Sequence, residues 1–166
     1  MIDHPIPPVF DARSEILILG SFPSVKSREN HFFYGHPMNR FWKVTREVLQ
    51  WPVLPETVEE KKQFLLENHV ALWDVIASCE VTGSSDASIR NAVPNDLRPI
   101  LENSRIRAIF CNGATSYSLY MKLIYPSLGI QPVRLPSTSP ANAAYSLEKL
   151  VTEWRSAIMS VLSEKP

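Results

Sequence analysis

The sequence predicts an α/β fold, a three-layer α/β/α sandwich around a central, mainly parallel sheet of four strands. Three observations lead to this prediction. Four short apolar runs, such as 15–20 and 70–76, are continuous rather than alternating, which is typical of strands buried on both faces of a sheet. Segments with helical patterning separate these runs. The 166 residues suffice for one domain with its own core, so we expect a single domain over 1–166.

The first half of the chain supplies two of the strands and two helices. We expect, in order, an extended cap over 3–11, a strand over 15–20, a helix over 39–50, a helix over 55–69 and a strand over 70–76. Asn39 suits the N-cap of the first helix, whose apolar residues share one face. Pro55 and the acidic residues that precede basic ones favour the second helix.

The second half continues the alternation after a long polar segment. We expect a loop over 77–96, a short helix over 96–104, a strand over 106–113, a helix over 114–125, a strand over 131–136, a loop over 137–145 and a terminal helix capped by Ser146. The terminal helix has an apolar stripe made of Leu147, Leu150, Val151, Trp154, Ile158, Val161 and Leu162. A loop as long as 77–96 inside a compact domain is usually functional or disordered.

The carboxyl ends of the four predicted strands are rich in small hydroxyl, amide and glycine residues. These ends are the segments 20–24, 74–79, 112–116 and 136–142. Ligands of parallel α/β sheets bind beyond the carboxyl ends of the strands. Loops of this composition let a backbone approach a ligand closely and offer N–H groups to anions. The sequence therefore predicts a site at this edge of the sheet.

Charge and composition exclude several classes of function. The 17 basic residues balance the 17 acidic ones, which argues against a broad electrostatic footprint for nucleic acid but leaves room for a local groove that holds a few phosphates. We find no apolar run of membrane-spanning length and no signal-peptide pattern, and so expect a cytoplasmic protein that does not bind membranes. Cys79 and Cys111 are too few for an all-cysteine metal site and are expected to be buried thiols.

Familiar cofactor motifs are absent from the sequence. It lacks a phosphate loop that ends in Gly-Lys-Ser/Thr, a three-glycine dinucleotide fingerprint and the nucleophile elbow of hydrolases. The four histidines show no spacing typical of metal ligands. We therefore expect no metal and no cofactor, which leaves cofactor-free chemistry or plain binding.

The segment "FYGHPMNRFW" concentrates aromatic residues just before the first predicted helix. Phe33 and Tyr34 are either core residues or, beside Gly35, rings that stack on a planar ligand. Asn39 caps the helix through its oxygen, which leaves its amide N–H₂ group to donate. His36, a single histidine beside a proline, is expected to be structural.

Other polar residues at the same edge have two interpretations each. The loops 21–27 and 136–142 contain Ser-Pro pairs that either form ordinary turns or together hold successive phosphates. Asn112 is either a turn residue or a ligand contact. Asp74 is a catalytic carboxylate at a strand end or a turn cap. Asp86 lies in the polar loop and is expected to be solvated.

Three stretches together resemble the uracil-DNA glycosylase superfamily. They are "LGSFPS", "FYGHPMNRFWKV" and "LPSTSPANAAYSLEKLV". The pattern HP-x-NRFWKV is close to the mismatch-specific uracil glycosylase branch. Together with "ALWDVIASCE", "GSSDASIRNAVPNDL" and "CNGATSY", the whole pattern is most similar to the hypoxanthine-DNA, or deoxyinosine, glycosylase branch. The resemblance extends from about residue 10 to the terminal helix.

Two positions depart from better-known branches. Phe22 stands where the mismatch-specific branch has a water-positioning Asn, and Leu135 stands where the main uracil branch has a His. The resemblance then implicates Asn39 as the catalytic residue and Tyr34 as the ring that stacks on the flipped base. It implies base-binding residues Ser21, Phe22, Tyr34 and Asn112, and DNA-binding residues Pro23, Ser24, Lys26, Ser137, Thr138, Ser139, Pro140, Ala141 and Asn142, the last three forming a wedge.

The resemblance implies a monofunctional base-excision enzyme. It would flip a deaminated base, with hypoxanthine the expected one, out of double- or single-stranded DNA and hydrolyse the N-glycosidic bond, leaving an abasic site. We expect it to act as a monomer. Three alternatives stay open: a glycosylase for uracil or thymine in G mismatches, a module that recognises damaged bases without cutting, and a hydrolase of free nucleosides.

Overall fold

The computed structural model describes residues 1–162 and builds them from short strands and helices. In the first half these are β1 (Ile2–Asp3), β2 (Ile16–Gly20), α1 (Val25–Asn30), α2 (Phe41–Leu49), α3 (Val58–Glu67), β3 (Val70–Asp74) and β4 (Ile76–Glu80). In the second half they are a 3₁₀ helix (Asp86–Ser88), β5 (Arg90–Pro94), α4 (Arg98–Glu102), β6 (Ala108–Asn112), α5 (Ala114–Leu123), α6 (Tyr125–Leu128), β7 (Val133–Leu135) and α7 (Leu147–Met159).

A four-stranded parallel sheet lies at the centre, in the order β3-β2-β6-β7. All three of its pairings are parallel, and Ile16 of β2 lies opposite Val70 on one side and Ala108 on the other. Every residue of β2 is buried. The predicted mixed α/β fold with a parallel four-stranded sheet is confirmed, and the apolar runs are continuous because both faces of the sheet are covered.

Two apolar clusters cover the two faces of this sheet. Ile16 and Ile18 of β2 point into a cluster with α2, α3 and α7, which is centred on Phe41 and Trp154. Leu17 and Leu19 alternate to the other face and join a cluster with α5 and the start of β4. The helices thus hold the carboxyl ends of β2, β3 and β6 side by side at one edge.

The predicted loop over 77–96 is wrong for most of its length. Strands β4 and β5 pair antiparallel within it, and β1 pairs with β4 to complete a second sheet, in the order β1-β4-β5. β5 is polar and largely exposed, β4 buries only Ile76 and Cys79, and two register shifts interrupt their pairing, so neither continuous nor alternating apolar patterning marks them. The hairpin keeps a polar tip at 81–89.

Helix boundaries differ from the sequence predictions at several points. Helix α1 was not predicted, since six residues are too few for a visible period. Helix α2 starts at Phe41 with Arg40 as the N-cap, so the prediction that Asn39 occupies the N-cap is wrong. Ser146 caps α7 as predicted, accepting from the Lys149 amide. Within residues 1–162, no helix combines the length and apolarity needed to cross a membrane.

Candidate active site

A cavity of about 240 Å³ opens at the carboxyl ends of β2, β3 and β6, the edge that the sequence predicted. Of the residues proposed from sequence, those that line it are Ser21, Phe22, Pro23, Ser24, Tyr34, Asn39, Asn112, Ser137, Thr138, Ser139 and Pro140. Ala141 and Asn142 line a larger, open groove next to it. Lys26 is exposed on α1, where it pairs with Glu29 at 3.7 Å and lines neither space.

Asn39 is held in one orientation by two donors. Its Oδ1 accepts the Phe41 backbone N–H at 2.9 Å and the Thr138 hydroxyl at 2.8 Å. A backbone N–H can only donate, so the atom that faces it is the oxygen and the amide orientation follows. Although Asn39 is not the N-cap, it satisfies the first N–H of α2. Its Nδ2 donates to nothing within residues 1–162, and the residue lines the cavity.

Asn112 and Thr138 extend this arrangement across the cavity wall. Asn112 Nδ2 donates to the Tyr34 hydroxyl at 3.1 Å and to Thr138 Oγ1 at 3.0 Å, while its Oδ1 accepts the Thr138 amide. Both N–H groups of Asn112 are engaged within the protein, so the contact it could offer a base is through Oδ1, which accepts one hydrogen bond here. Thr138 is fully buried, so its hydroxyl cannot hold a phosphate. Both residues position Asn39 and Tyr34.

Tyr34 has one ring face covered and belongs to the cavity wall. The covered face stacks on Phe41, with the ring centroids 4.1 Å apart and the planes 15° from parallel. Its backbone adopts φ 51°, a left-handed conformation that is uncommon outside glycine. Burial, reinforced by the charge of Asp74, raises the pKa of the Tyr34 hydroxyl despite the hydrogen bond from Asn112. The phenol therefore stays protonated.

Phe22 forms part of the opposite side of the cavity. Its ring meets that of His4 edge to face at 5.9 Å, and the Arg28 guanidinium lies 5.7 Å from its centroid. Phe22 is half-buried. Its ring supplies an apolar surface to the cavity wall.

The loop 137–142 is shaped by its own hydroxyls. Ser137 Oγ accepts the Ser139 amide at 3.1 Å, and Ser139 Oγ accepts the Ala141 amide at 3.2 Å. Each hydroxyl keeps its own hydrogen, so each can still donate to a phosphate oxygen. The tip at Pro140 and Ala141 is exposed. Asn142 is not a free tip residue as expected, because its side chain folds back to the Ser137 carbonyl at 3.0 Å.

Arg40 ties this loop to α2, a role that the sequence analysis missed. Its guanidinium donates to the carbonyls of Ser139, Asn142 and Tyr145. Its backbone amide donates to the Thr138 carbonyl at 3.1 Å. The planar guanidinium of Arg40 thus holds three positions of this loop at once. Its position directly after Asn39 was the one signal in the sequence that could have pointed to Arg40. Its hydrogen-bond partners lie about a hundred residues further along the chain, so the sequence does not reveal them.

The hairpin tip at 81–89 forms the outer wall of the cavity. Ser21 donates to Asp86 Oδ1 at 2.8 Å, and Ser84 accepts the Val25 amide at 2.9 Å. Asp86 is exposed as a residue, as expected, yet its carboxylate lies at the cavity rim. Desolvation raises the pKa of Asp86, the Ser21 hydrogen bond lowers it, and the Asp74 charge raises it. Ser24 Oγ caps α1 by accepting the Ser27 amide.

Asp74 lines the cavity at the end of β3 and is 4% exposed. His4 Nε2 contacts its Oδ2 at 2.7 Å. The sequence analysis noted Asp74 but not this partner, 70 positions away, which the extended N-terminal segment brings in. Within residues 1–162, no group of three or more His, Cys, Asp or Glu side chains is arranged to hold a metal ion.

Comparisons with known proteins agree with this geometry. The sequence profile of the uracil DNA glycosylase superfamily matches residues 7–162. A curated protein of Methanosarcina acetivorans named hypoxanthine DNA glycosylase is 32% identical over 154 residues, covering 93% of this chain and 96% of that protein. A protein of the same name from Methanosarcina barkeri is 30% identical over 152 residues, covering 91% of this chain and 94% of that protein.

A solved structure shares the fold. It is a solution NMR structure of a Methanosarcina acetivorans protein provisionally named a uracil DNA glycosylase, and it superimposes with a TM-score of 0.81 at 31% identity. The alignment covers 97% of this chain and 99% of that one.

Proposed function

Because this chain belongs to the uracil DNA glycosylase superfamily, we propose that it excises a deaminated base, foremost hypoxanthine, from DNA and leaves an abasic site. Two relatives that bear the name hypoxanthine DNA glycosylase match more than nine-tenths of the chain and support this choice of base. The observation that carries the proposal is the fixed orientation of Asn39, whose free N–H₂ group belongs to a residue of the cavity wall.

Base excision requires the target nucleotide to leave the stack. Eversion costs a few kcal/mol and costs least at a mismatch, which favours deaminated bases. The cavity, at about 240 Å³, is smaller than the roughly 300–1,000 Å³ typical of drug-sized ligands and suits a single base. The everted base would lie against the rings of Tyr34 and Phe22, which both line the cavity.

Asn39 acts by position and dipole in this proposal, since an amide is too weak a base to deprotonate water. As the glycosidic bond breaks, negative charge develops on the departing base. Nδ2 of Asn39 then donates to a ring nitrogen or carbonyl oxygen, or orients the attacking water. A preorganised donor of this kind is worth about 3 kcal/mol. The two hydrogen bonds to Oδ1 supply that preorganisation.

The DNA backbone would be held by few contacts. Ser137, Ser139, Pro23 and Ser24 line the cavity and would meet the DNA backbone, and Pro140 with Ala141 would fill the space that the base leaves. A chain with formal net charge +0 cannot rely on a large cationic surface. We therefore expect a shallow dependence of affinity on salt, with few phosphates neutralised.

A substrate panel tests the proposal. Duplexes that carry a single hypoxanthine, uracil, xanthine or G·T mismatch are incubated with the protein and treated with alkali, and free inosine is included. We expect strand breaks at hypoxanthine and an intact free nucleoside. Faster cutting at uracil or at thymine would favour the mismatch-specific alternative.

Asn39→Ala provides the matched variant for the same panel. We expect excision to fall about 10²- to 10³-fold while affinity for the lesion duplex stays within a few-fold. Tight lesion binding by the wild-type protein with no breaks in any duplex would establish a recognition module instead. Cleavage of free inosine alone would establish a nucleoside hydrolase.

A further inference from the structure

Asp74 places an oxygen in the cavity that the proposed mechanism does not use. The residue is 4% exposed, and only one of its carboxylate oxygens is occupied, by His4. Among the hydrogen bonds within residues 1–162, Oδ1 accepts none. Oδ1 is not among the fully enclosed unpaired atoms of residues 1–162, and Asp74 lines the cavity, so a donor that arrives with a ligand can reach this oxygen.

The hydrogen bonds of His4 determine which ring nitrogen carries the proton. The Ile6 backbone N–H donates to His4 Nδ1 at 3.2 Å, so Nδ1 is an acceptor and carries no hydrogen. The proton is therefore on Nε2 and points at Asp74 Oδ2, 2.7 Å away. His4 itself is packed between Phe22, Phe33 and Trp73. The imidazole fixes the carboxylate plane and leaves Oδ1 as an acceptor.

Gly20 leaves room for Asp74 Oδ1 beside the end of β2. A Cβ atom at this position would overlap Asp74 Oδ1 and would lie 3.1 Å from the Tyr34 hydroxyl. The carboxylate and the phenol thus flank the end of β2 in the cavity wall. A base stacked on Tyr34 would meet Oδ1 with one of its edges.

Deamination inverts two neighbouring atoms of that edge: the exocyclic amine donor becomes a carbonyl acceptor, and the ring nitrogen beside it changes from acceptor to donor. Adenine N1 and cytosine N3 carry lone pairs, whereas hypoxanthine N1 and uracil N3 carry hydrogens. Flipped bases are read through this Watson–Crick edge. A carboxylate offers acceptors only, so it can bond the deaminated base and opposes the lone pair of the parent.

We propose that Asp74, positioned by His4, accepts the ring N–H of the everted base and thereby distinguishes deaminated bases from adenine and cytosine. This inference rests on the proposed glycosylase activity and adds how the site recognises the base. Hypoxanthine, uracil and xanthine share the N–H, so the contact accepts all three. Guanine carries it too, and this contact does not reject guanine, whose pairing with cytosine makes eversion costly.

Asp74→Asn tests the carboxylate directly. Single-turnover excision is measured on duplexes with mispaired hypoxanthine, adenine, uracil or cytosine. A site built to bond a substrate N–H rejects an analogue without it by about 10⁴. In Asp74→Asn, whose amide can also donate, we expect hypoxanthine excision to fall at least about tenfold and the hypoxanthine-to-adenine ratio to narrow about 100-fold. Asp96→Asn, the same change on an exposed carboxylate away from the cavity, keeps both values.

Variants of His4 test whether this residue positions the Asp74 carboxylate, again through the ratio of the excision rates on hypoxanthine and adenine. His4→Gln can still donate to Oδ2 and should keep most of the selectivity, whereas His4→Leu should narrow the hypoxanthine-to-adenine ratio at least about fivefold. A merely structural His4 would lower both rates equally and leave the ratio unchanged, which would overturn its role.

A third experiment uses the wild-type protein and so does not depend on whether a variant folds. A duplex with 1-methylhypoxanthine lacks the N1 hydrogen and the ability to pair, so eversion is easier, yet we expect excision at least about tenfold slower than for hypoxanthine. Equal rates there, or an Asp74→Asn protein with unchanged rate and ratio, would refute the inference alone. A wild-type protein that excises no base from any duplex would refute the proposed function first.

Discussion

The two sides of the cavity are built differently. The amide wall consists of Tyr34, Asn39, Asn112 and Thr138, and each of these side chains hydrogen-bonds to another member. The hairpin wall consists of Ser21, Phe22, Ser84 and Asp86. Three separate hydrogen bonds at the surface hold the hairpin tip: Ser21 to Asp86, the Val25 amide to Ser84, and Arg28 to the Gly83 carbonyl. This difference assigns rigid positioning to the amide wall and adaptation to the base to the hairpin wall.

Thr138→Val breaks the amide wall at its centre and should lower the excision rate more than a substitution of Arg40, Ser21 or Asp86. The change keeps the shape but removes the hydroxyl that donates to Asn39 and accepts from Asn112. A buried polar group left unpaired costs about 1–3 kcal/mol. With Asn39 free to turn, we expect excision to fall about 10- to 100-fold, measured in single turnovers. Thr152→Val, the same change on an exposed residue of α7 that lines neither the cavity nor the groove, should stay within about threefold in such turnovers.

Arg40→Lys weakens the attachment of the loop that carries Thr138 to α2. A single ammonium cannot reproduce three bonds to the carbonyls of Ser139, Asn142 and Tyr145. We expect a loss of about 2–4 kcal/mol in unfolding free energy, measured by urea titration. Affinity for an abasic duplex should weaken on the order of tenfold, equivalent to about 1.4 kcal/mol. Unchanged stability and affinity would show that the loop holds its shape without Arg40.

Ser21→Ala probes the hairpin wall. It removes the hydrogen bond to Asp86, which joins two exposed groups and is worth little. We expect the excision rate on hypoxanthine to stay within about threefold, while the relative rates on hypoxanthine and uracil shift as the wall moves. A loss as large as that of Thr138→Val would erase the proposed difference between the walls.

Asp86→Asn should have the smallest effect, a small change in melting temperature that depends on pH. Because desolvation raises the folded-state pKa of Asp86, the folded protein binds this proton more tightly than the unfolded chain does. Its ionisation therefore opposes folding as pH rises from the unfolded value of 3.8 through the folded one. At neutral pH the variant should melt slightly above the wild type, and the gap should close as the pH falls below that window. A gap that stays constant with pH would contradict this assignment.

The parallel sheet could be predicted from sequence because burial on both faces leaves a local mark. Residues 16–20 are continuously apolar for that reason. The antiparallel hairpin left no such mark, since β5 is largely exposed and interrupted by register shifts. Pattern reasoning thus locates strands through their environment, and misses strands whose environment is mostly water.

The sequence predicted where the candidate site lies but not the hydrogen bonds within it. Asn39, Tyr34 and the loop 136–142 were all placed at the correct edge of the sheet. The supporting bonds join residues far apart in the chain, such as Arg40 to Tyr145 and His4 to Asp74. Thr138 and Asn112 were expected to contact DNA and the base, and only the fold shows that their polar groups are already engaged with each other.

The central claim is that Asn39 works as an oriented N–H₂ donor. Asn39→Asp tests it most directly, because the carboxylate keeps an oxygen for the Phe41 amide and the Thr138 hydroxyl but has no N–H to offer. The account predicts single-turnover excision of hypoxanthine at least about 100-fold slower, with lesion-duplex affinity reduced far less. An Asn39→Asp protein that excises hypoxanthine at the wild-type rate would contradict it.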